Sequence, residues 1–207
     1  DSHMRFVKHW DTKIIDQLHS LNDNKAILSA YPPYCNEEMM KLPLDDKTYD
    51  EPAEGGVMYT NGFRDKSNYF LQCNPIPIKN DDYRAYKRNA FIAAGNFFTY
   101  SDAHRDVLHD KEMYFYGDEL PMSIRLFTHG WNVYNPGESY IYHQYERKNQ
   151  KFPPVTNAMQ NENKRLMALL NIEGSSENLG EFGLGTIRTL KDYEEFSGIN
   201  FKDKKVF

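Results

Sequence analysis

The chain has 207 residues, 40% hydrophobic and 14% aromatic, which is enough for one packed domain with a sizeable core and too apolar for disorder. Its formal net charge of -5 comes without any Lys/Arg run, which argues against nucleic acid as a partner, and no stretch nears the roughly 18 apolar residues of a membrane span. Cys35 and Cys73 are the only cysteines; they form neither a disulfide framework nor a zinc pattern, so a reducing, cytoplasmic setting is expected.

Residues 11–21 have the period of an amphipathic helix, with Asp11 or Thr12 as its cap and Ile14, Ile15, Leu18 and Leu21 on one face. Residues 26–30 read as a buried strand stopped by Pro32 and Pro33. The stretch 34–58 is acidic and broken by Pro43, Pro52, Gly55 and Gly56, predicting a long surface loop able to cover an acceptor groove. Strands are predicted over 57–63, 69–73 and 90–100, followed by a helix over 119–128. Two helical patterns close the chain, 157–170 with Leu166, Leu169 and Leu170, and 186–196 with Ile187, Leu190, Tyr193 and Phe196, joined by a Gly/Ser/Asn connection. Strands alternating with helices predict an α/β fold in a single domain over 1–207.

The chemistry starts at Asp1-Ser2-His3. A carboxylate and an imidazole two positions apart on an extended segment point the same way, so one divalent ion can take both. Taken alone, such a pair is equally a scrap of surface polarity or the remnant of a cloning linker. The run continues through Met4-Arg5-Phe6 and Trp10-Asp11 to Leu28-Ser29-Ala30-Tyr31-Pro32-Pro33. Further blocks follow: Phe91-Ile92-Ala93-Ala94-Gly95-Asn96-Phe97-Phe98, Phe115-Tyr116-Gly117-Asp118-Glu119-Leu120, Arg125-Leu126-Phe127-Thr128-His129-Gly130, Tyr142-His143-Gln144-Tyr145-Glu146-Arg147 and Gly183-Leu184-Gly185-Thr186-Ile187-Arg188. In this order the blocks resemble the hydroxyproline-directed N-acetylglucosaminyltransferases that modify the Skp-type subunit of ubiquitin ligases, and their bacterial relatives.

The resemblance implies a GT-A-type nucleotide-sugar transferase. In that family the D-x-H lies in the middle of the fold, so these residues are expected to be its C-terminal portion, lacking the N-terminal nucleotide-binding half and without appreciable transfer on their own. It implies a metal site of Asp1, His3 and His143, and the mixed oxygen and nitrogen set suits Mn2+ better than Mg2+. The other reading of His143 is a hydrogen-bonded histidine of an aromatic strand. His129 competes as third ligand, but Thr128-His129-Gly130 reads as a helix C-terminus.

A more distant similarity to the polypeptide N-acetylgalactosaminyltransferases, also retaining enzymes, implies that Asp118 and Glu119 line the sugar pocket as the catalytic pair. The family more usually carries two glutamates here, so Asp118 is one methylene shorter; the competing reading is acidic residues favouring a helix start. Gly95 and Asn96, in Ala93-Ala94-Gly95-Asn96, would pass beneath the donor sugar or else form a tight central strand. Arg5, Arg147 and Tyr145 complete the implied substrate contacts, with the arginines on the diphosphate or at the solvated surface. Tyr31-Pro32-Pro33 and Trp131 offer an aromatic acceptor platform, unless Trp131 belongs to the core.

The expected function is a metal-dependent retaining transfer of a sugar, N-acetylglucosamine by the resemblance, from a UDP-sugar to a protein or peptide hydroxyl. The leaving diphosphate draws the acceptor proton in a front-face displacement. One carboxylate and two histidines also make the facial triad of non-haem iron oxygenases, though in the order H-x-D…H. A non-catalytic fragment or binding module is the alternative outside enzymes.

Overall fold

The structure is a computed structural model that describes residues 3–43, 47–77, 87–113, 118–146 and 157–207. Asp1 and Arg147, expected at the metal and the diphosphate, lie outside the described residues.

At the centre is β2 (Ala26–Ser29), buried at all four positions, with β6 (Phe97–Thr99) antiparallel on one side and β7 (Asn132–Tyr134) parallel on the other. A strand covered on both faces is a continuous apolar run, which is how residues 26–30 read in the sequence. On one flank α1 (Trp10–Ser20) packs Ile14 and Leu18, one turn apart, with Val7, Leu28 and Tyr140. This helix starts one residue before the expected Asp11. Its N-cap is His9 at φ 59, without a side-chain cap, and Asp11 sits in the first turn. Ile15, expected on the buried face, is 42% exposed.

On the other flank α4 (Glu119–Thr128) has the predicted bounds and is buried from Leu120 to Thr128. Pro121 is accommodated because the first turn has no intrahelical N–H bond to lose. The helix ends at His129 as C-cap with Gly130 at φ 91, in accord with reading Thr128-His129-Gly130 as a helix end. Trp131 is core, 1% exposed, its Nε1 donating to Asp106 at 3.2 Å.

The C-terminal segment anchors α4. The Arg188 guanidinium donates to the carbonyls of Phe127 (3.3 Å), Trp131 (3.1 Å) and Gly130 (3.4 Å) and to Asn132 Oδ1 (2.7 Å). These acceptors include orphan carbonyls of the helix end. The Gly185 amide donates to Thr128 Oγ1 at 2.9 Å, and a Cβ there would stand 2.5 Å from the Thr128 carbonyl, so only glycine fits. The last long helix, α6 (Leu190–Ser197), opens on a capping box of Thr189 and Asp192. The cap starts the helix four residues later than the period suggests and leaves Ile187 outside it, 68% exposed. α5 (Asn157–Leu169) matches its expected span, with Leu166 and Leu169 buried.

Two other expectations change. Residues 90–100 are not one strand: Ser29 Oγ donates to the Asn96 carbonyl (2.7 Å), accepts from the Ala93 amide (2.8 Å) and so pins a turn closed by Asn96 N to Ala93 O at 3.0 Å. Only β6 continues as strand. The stretch 34–58 is partly ordered by α2 (Glu37–Lys41), capped by Asn36 through a 2.8 Å bond from the Met39 amide, and by β3 (Ala53–Glu54). β3 pairs with β8 (Glu138–Ser139), and β4 (Gly56–Phe63) forms a hairpin with β5 (Leu71–Pro77). Among the described residues no helix is long and apolar enough to cross a membrane.

Candidate functional site

β1 (Met4–Phe6) pairs antiparallel with β9 (Ile141–His143), with Met4 opposite His143. That register sets His3 beside His143, their ring centroids 4.5 Å apart and edge-on at 70°. At this separation one divalent ion could reach a nitrogen of each ring, and the spacing is equally that of an edge-on aromatic contact. Among the described residues no three His, Cys, Asp or Glu side chains gather as a metal set; the third expected ligand, Asp1, lies outside them.

The other edge of β9 meets the Tyr31-Pro32-Pro33 run. The His143 amide donates to the Pro33 carbonyl at 2.9 Å, and the Cys35 amide donates to the His143 carbonyl at 3.0 Å. Tyr145 folds back over this junction. Its hydroxyl donates to the Pro32 carbonyl at 2.7 Å, and its ring centroid lies 4.3 Å from that of His143. Tyr31, Pro32, Tyr34, Gly55, Cys73 and Tyr145 are among the residues around an open cleft of about 510 Å³. Gly55 has no room for a side chain, since a Cβ there would stand 2.0 Å from the Pro136 carbonyl.

Glu119 ties this cleft to α4. Its Oε2 accepts from the Tyr31 hydroxyl and its Oε1 from the Ala94 amide, each at 2.8 Å. Burial pushes the Glu119 carboxyl up from its ordinary value, opposed by those two hydrogen bonds. Burial likewise raises Asp118, which His109 opposes from 3.9 Å. Both carboxylates line a second cavity of about 180 Å³, beside Ile92, Phe97 and Met122. Gly95 lies against Met4 and Pro32, where a Cβ would make contacts of 3.5 and 3.9 Å. Asn96 is 5% exposed, and its Oδ1 has no hydrogen-bond partner among the described residues.

His3, His143, Tyr145 and Gly95 thus gather around Pro32 and Met4, and Glu119 reaches the same junction through Tyr31. Arg5 does not turn toward the cleft: its Nη2 donates to the carbonyls of Met40 and Leu42, fastening β1 to the end of α2. The sequence offered no sign of His109 beside Asp118, because a single histidine in a polar stretch has no period or spacing to mark it. Cys73 was also missed as a wall of the cleft.

No curated protein matches the chain. A family model described as Glycosyltransferase (GlcNAc) matches residues 1–203, nearly the whole chain, and with that span the chain belongs to this N-acetylglucosamine glycosyltransferase family.

Proposed function

We propose that the protein is a metal-dependent, retaining transferase that moves N-acetylglucosamine from UDP-N-acetylglucosamine to a protein or peptide hydroxyl, hydroxyproline being the acceptor that the sequence resemblance favours. The observation that carries the reading is the His3–His143 pair at 4.5 Å beside the cleft, in a chain whose family transfers this sugar. A GT-A-type arrangement is part of the reading, supported by the parallel pairing of β2 with β7 next to the site. So is a cytoplasmic setting, supported by two free cysteines.

His3 and His143, with Asp1, are the residues that would hold manganese, which when bound supplies Lewis-acid stabilisation of the departing diphosphate. The protein does the rest. Tyr31 and the Ala94 amide fix the Glu119 carboxylate in one rotamer, so it meets the donor sugar's hydroxyls without reorganising. The Ala93–Asn96 turn gives the sugar a floor of small residues, and Tyr31, Tyr34 and Tyr145 offer aromatic faces to an acceptor chain. In the transfer, the bond from the anomeric carbon to the diphosphate oxygen breaks and a bond to the acceptor oxygen forms on the same face. The acceptor proton passes to the leaving diphosphate.

The test is calorimetric titration of UDP into the protein with and without manganese, with 2-oxoglutarate and iron in a parallel series. The transferase reading expects manganese-dependent UDP binding. A response to 2-oxoglutarate would indicate the oxygenase chemistry that two histidines and a carboxylate also permit, and silence in both series would indicate a non-catalytic fragment or binding module.

A further inference from the structure

An open, shallow depression of about 650 Å³ lies apart from the site described above, lined by His19, Asn22, Asp23, Asn24, Tyr100 and Asn132. The sheet register sets it at the other end of β2. Ala26, the first residue of that strand, is opposite Asn132 of β7, and Tyr100 directly follows Thr99, the partner of Ile27. Ser29, the last residue, holds the Ala93–Asn96 turn beside the cleft. About 10 Å of strand therefore separates the two places.

Chemistry rather than size selects the guest. The lining includes one carboxylate and neither Lys nor Arg, which disfavours an anion, and His19 and Asp23 belong to no metal-ligating set among the described residues. The rings of His19 and Tyr100 run nearly parallel, 14° apart with centroids at 6.3 Å, and are its only extended apolar faces, too little for a lipid or an apolar peptide. Asp23 is aimed by three donors: its Oδ1 accepts from the Lys25 amide at 2.9 Å, and its Oδ2 from Asn132 Nδ2 at 2.7 Å and from the Tyr134 hydroxyl at 3.0 Å. The His19 ring nitrogens and the Asn24 side chain make no hydrogen bond among the described residues. A matching ligand is neutral, rich in hydroxyls and apolar on one face. A pyranose has these properties: its C–H face lies on an aromatic ring, and its hydroxyls bond to carboxylate, amide and imidazole.

We propose that this depression binds a neutral saccharide, at a site remote from the donor and acceptor cleft and with no part in the transfer step. It stands independently of the transferase reading, because none of its residues belongs to that site. Being open, it admits a sugar carried on a larger chain as readily as a free one.

The experiment follows the ring protons of His19 and Tyr100 by NMR while cellobiose, maltose and chitobiose are added, with uridine and inorganic phosphate as controls. At least one disaccharide is expected to shift both residues and to saturate with a Kd on the order of 1 mM, while the controls shift neither. His19→Ala, at an exposed position, read through Tyr100, and Tyr100→Leu, read through His19, each weaken binding by about 2- to 10-fold. The same disaccharide attached to a peptide distinguishes the sources: tighter binding than the free sugar marks a protein-borne glycan, equal binding a free saccharide, and either supports the proposal. No shift at a disaccharide concentration on the order of 50 mM overturns it, as does an equal response to uridine or an affinity undiminished in both variants. Displacement of the disaccharide by UDP with manganese also overturns it, since the sugar then occupies the donor cleft.

Discussion

The Tyr31 hydroxyl and the Glu119 carboxylate meet at 2.8 Å, and the Ala94 amide meets the other carboxylate oxygen at the same distance. Three segments far apart in the chain, the Tyr-Pro-Pro run, the turn after residue 92 and the start of α4, are therefore joined at one half-buried carboxylate. Tyr31→Phe removes a bond to a charged group, worth about 1.5–3 kcal/mol. Urea denaturation is expected to show a loss of that order, with the Glu119 carboxyl moving further up because one of the bonds opposing burial is gone.

Glu119→Gln keeps an oxygen for the Ala94 amide and offers an NH2 to the Tyr31 oxygen, so the junction survives. Measured in a version extended at the N-terminus, glycosyl turnover is expected under the proposed role to fall by about 100-fold or more while the thermal midpoint barely moves. Asp118→Asn is expected to behave in the same direction. Steady-state transfer kinetics beside a thermal melt check both; near-normal turnover in the two variants removes these carboxylates from the site.

Arg188 is expected to matter for stability rather than for donor recognition. Its guanidinium holds three carbonyls and Asn132 at the end of α4, and its charge lies 4.6 Å from the centre of the Phe127 ring. Arg188→Ala leaves buried carbonyls without donors and should cost about 3 kcal/mol in denaturant unfolding. Arg188→Lys recovers little of this, because one ammonium cannot span the forked set of acceptors.

Local elements were legible in the sequence where burial and period agree: α4 at Glu119–Thr128 and β2 inside its apolar run. They were illegible where side chains redirect the backbone. Residues 90–100 have strand composition, yet Ser29, more than sixty positions away, bends them into a turn. Ile187 fits a helical stripe, yet the Thr189–Asp192 box starts the helix after it. The site was legible only through its motif blocks. No periodicity relates His3 to His143; the β1–β9 register does. Nor does the Gly183–Arg188 block reveal from sequence that it serves the end of α4.

The cleft also sets a pH dependence. Burial, then the Glu119 charge, pushes the Cys73 thiol up from 9.0 to about 12, and burial foremost pushes Tyr145 from 10.0 to about 12. The folded state keeps protons that the unfolded chain releases, so the stability from these groups is complete below about pH 9 and declines as pH rises toward 12. Thermal midpoints taken from about pH 8 upward should fall through this window, and Cys73→Ala should flatten the early part of the decline. The protonated thiol should also react with iodoacetamide at about pH 8 far more slowly than a free cysteine does.

The central claim is that His3 and His143 hold the cation that meets the donor diphosphate. Substoichiometric manganese, added with UDP while the imidazole protons of all 7 histidines are followed by NMR, tests it most directly. The account predicts that the His3 and His143 signals broaden first, and that those of His9, His19, His104, His109 and His129 persist. Broadening first at His104 and His109, or equally at every histidine, would contradict it.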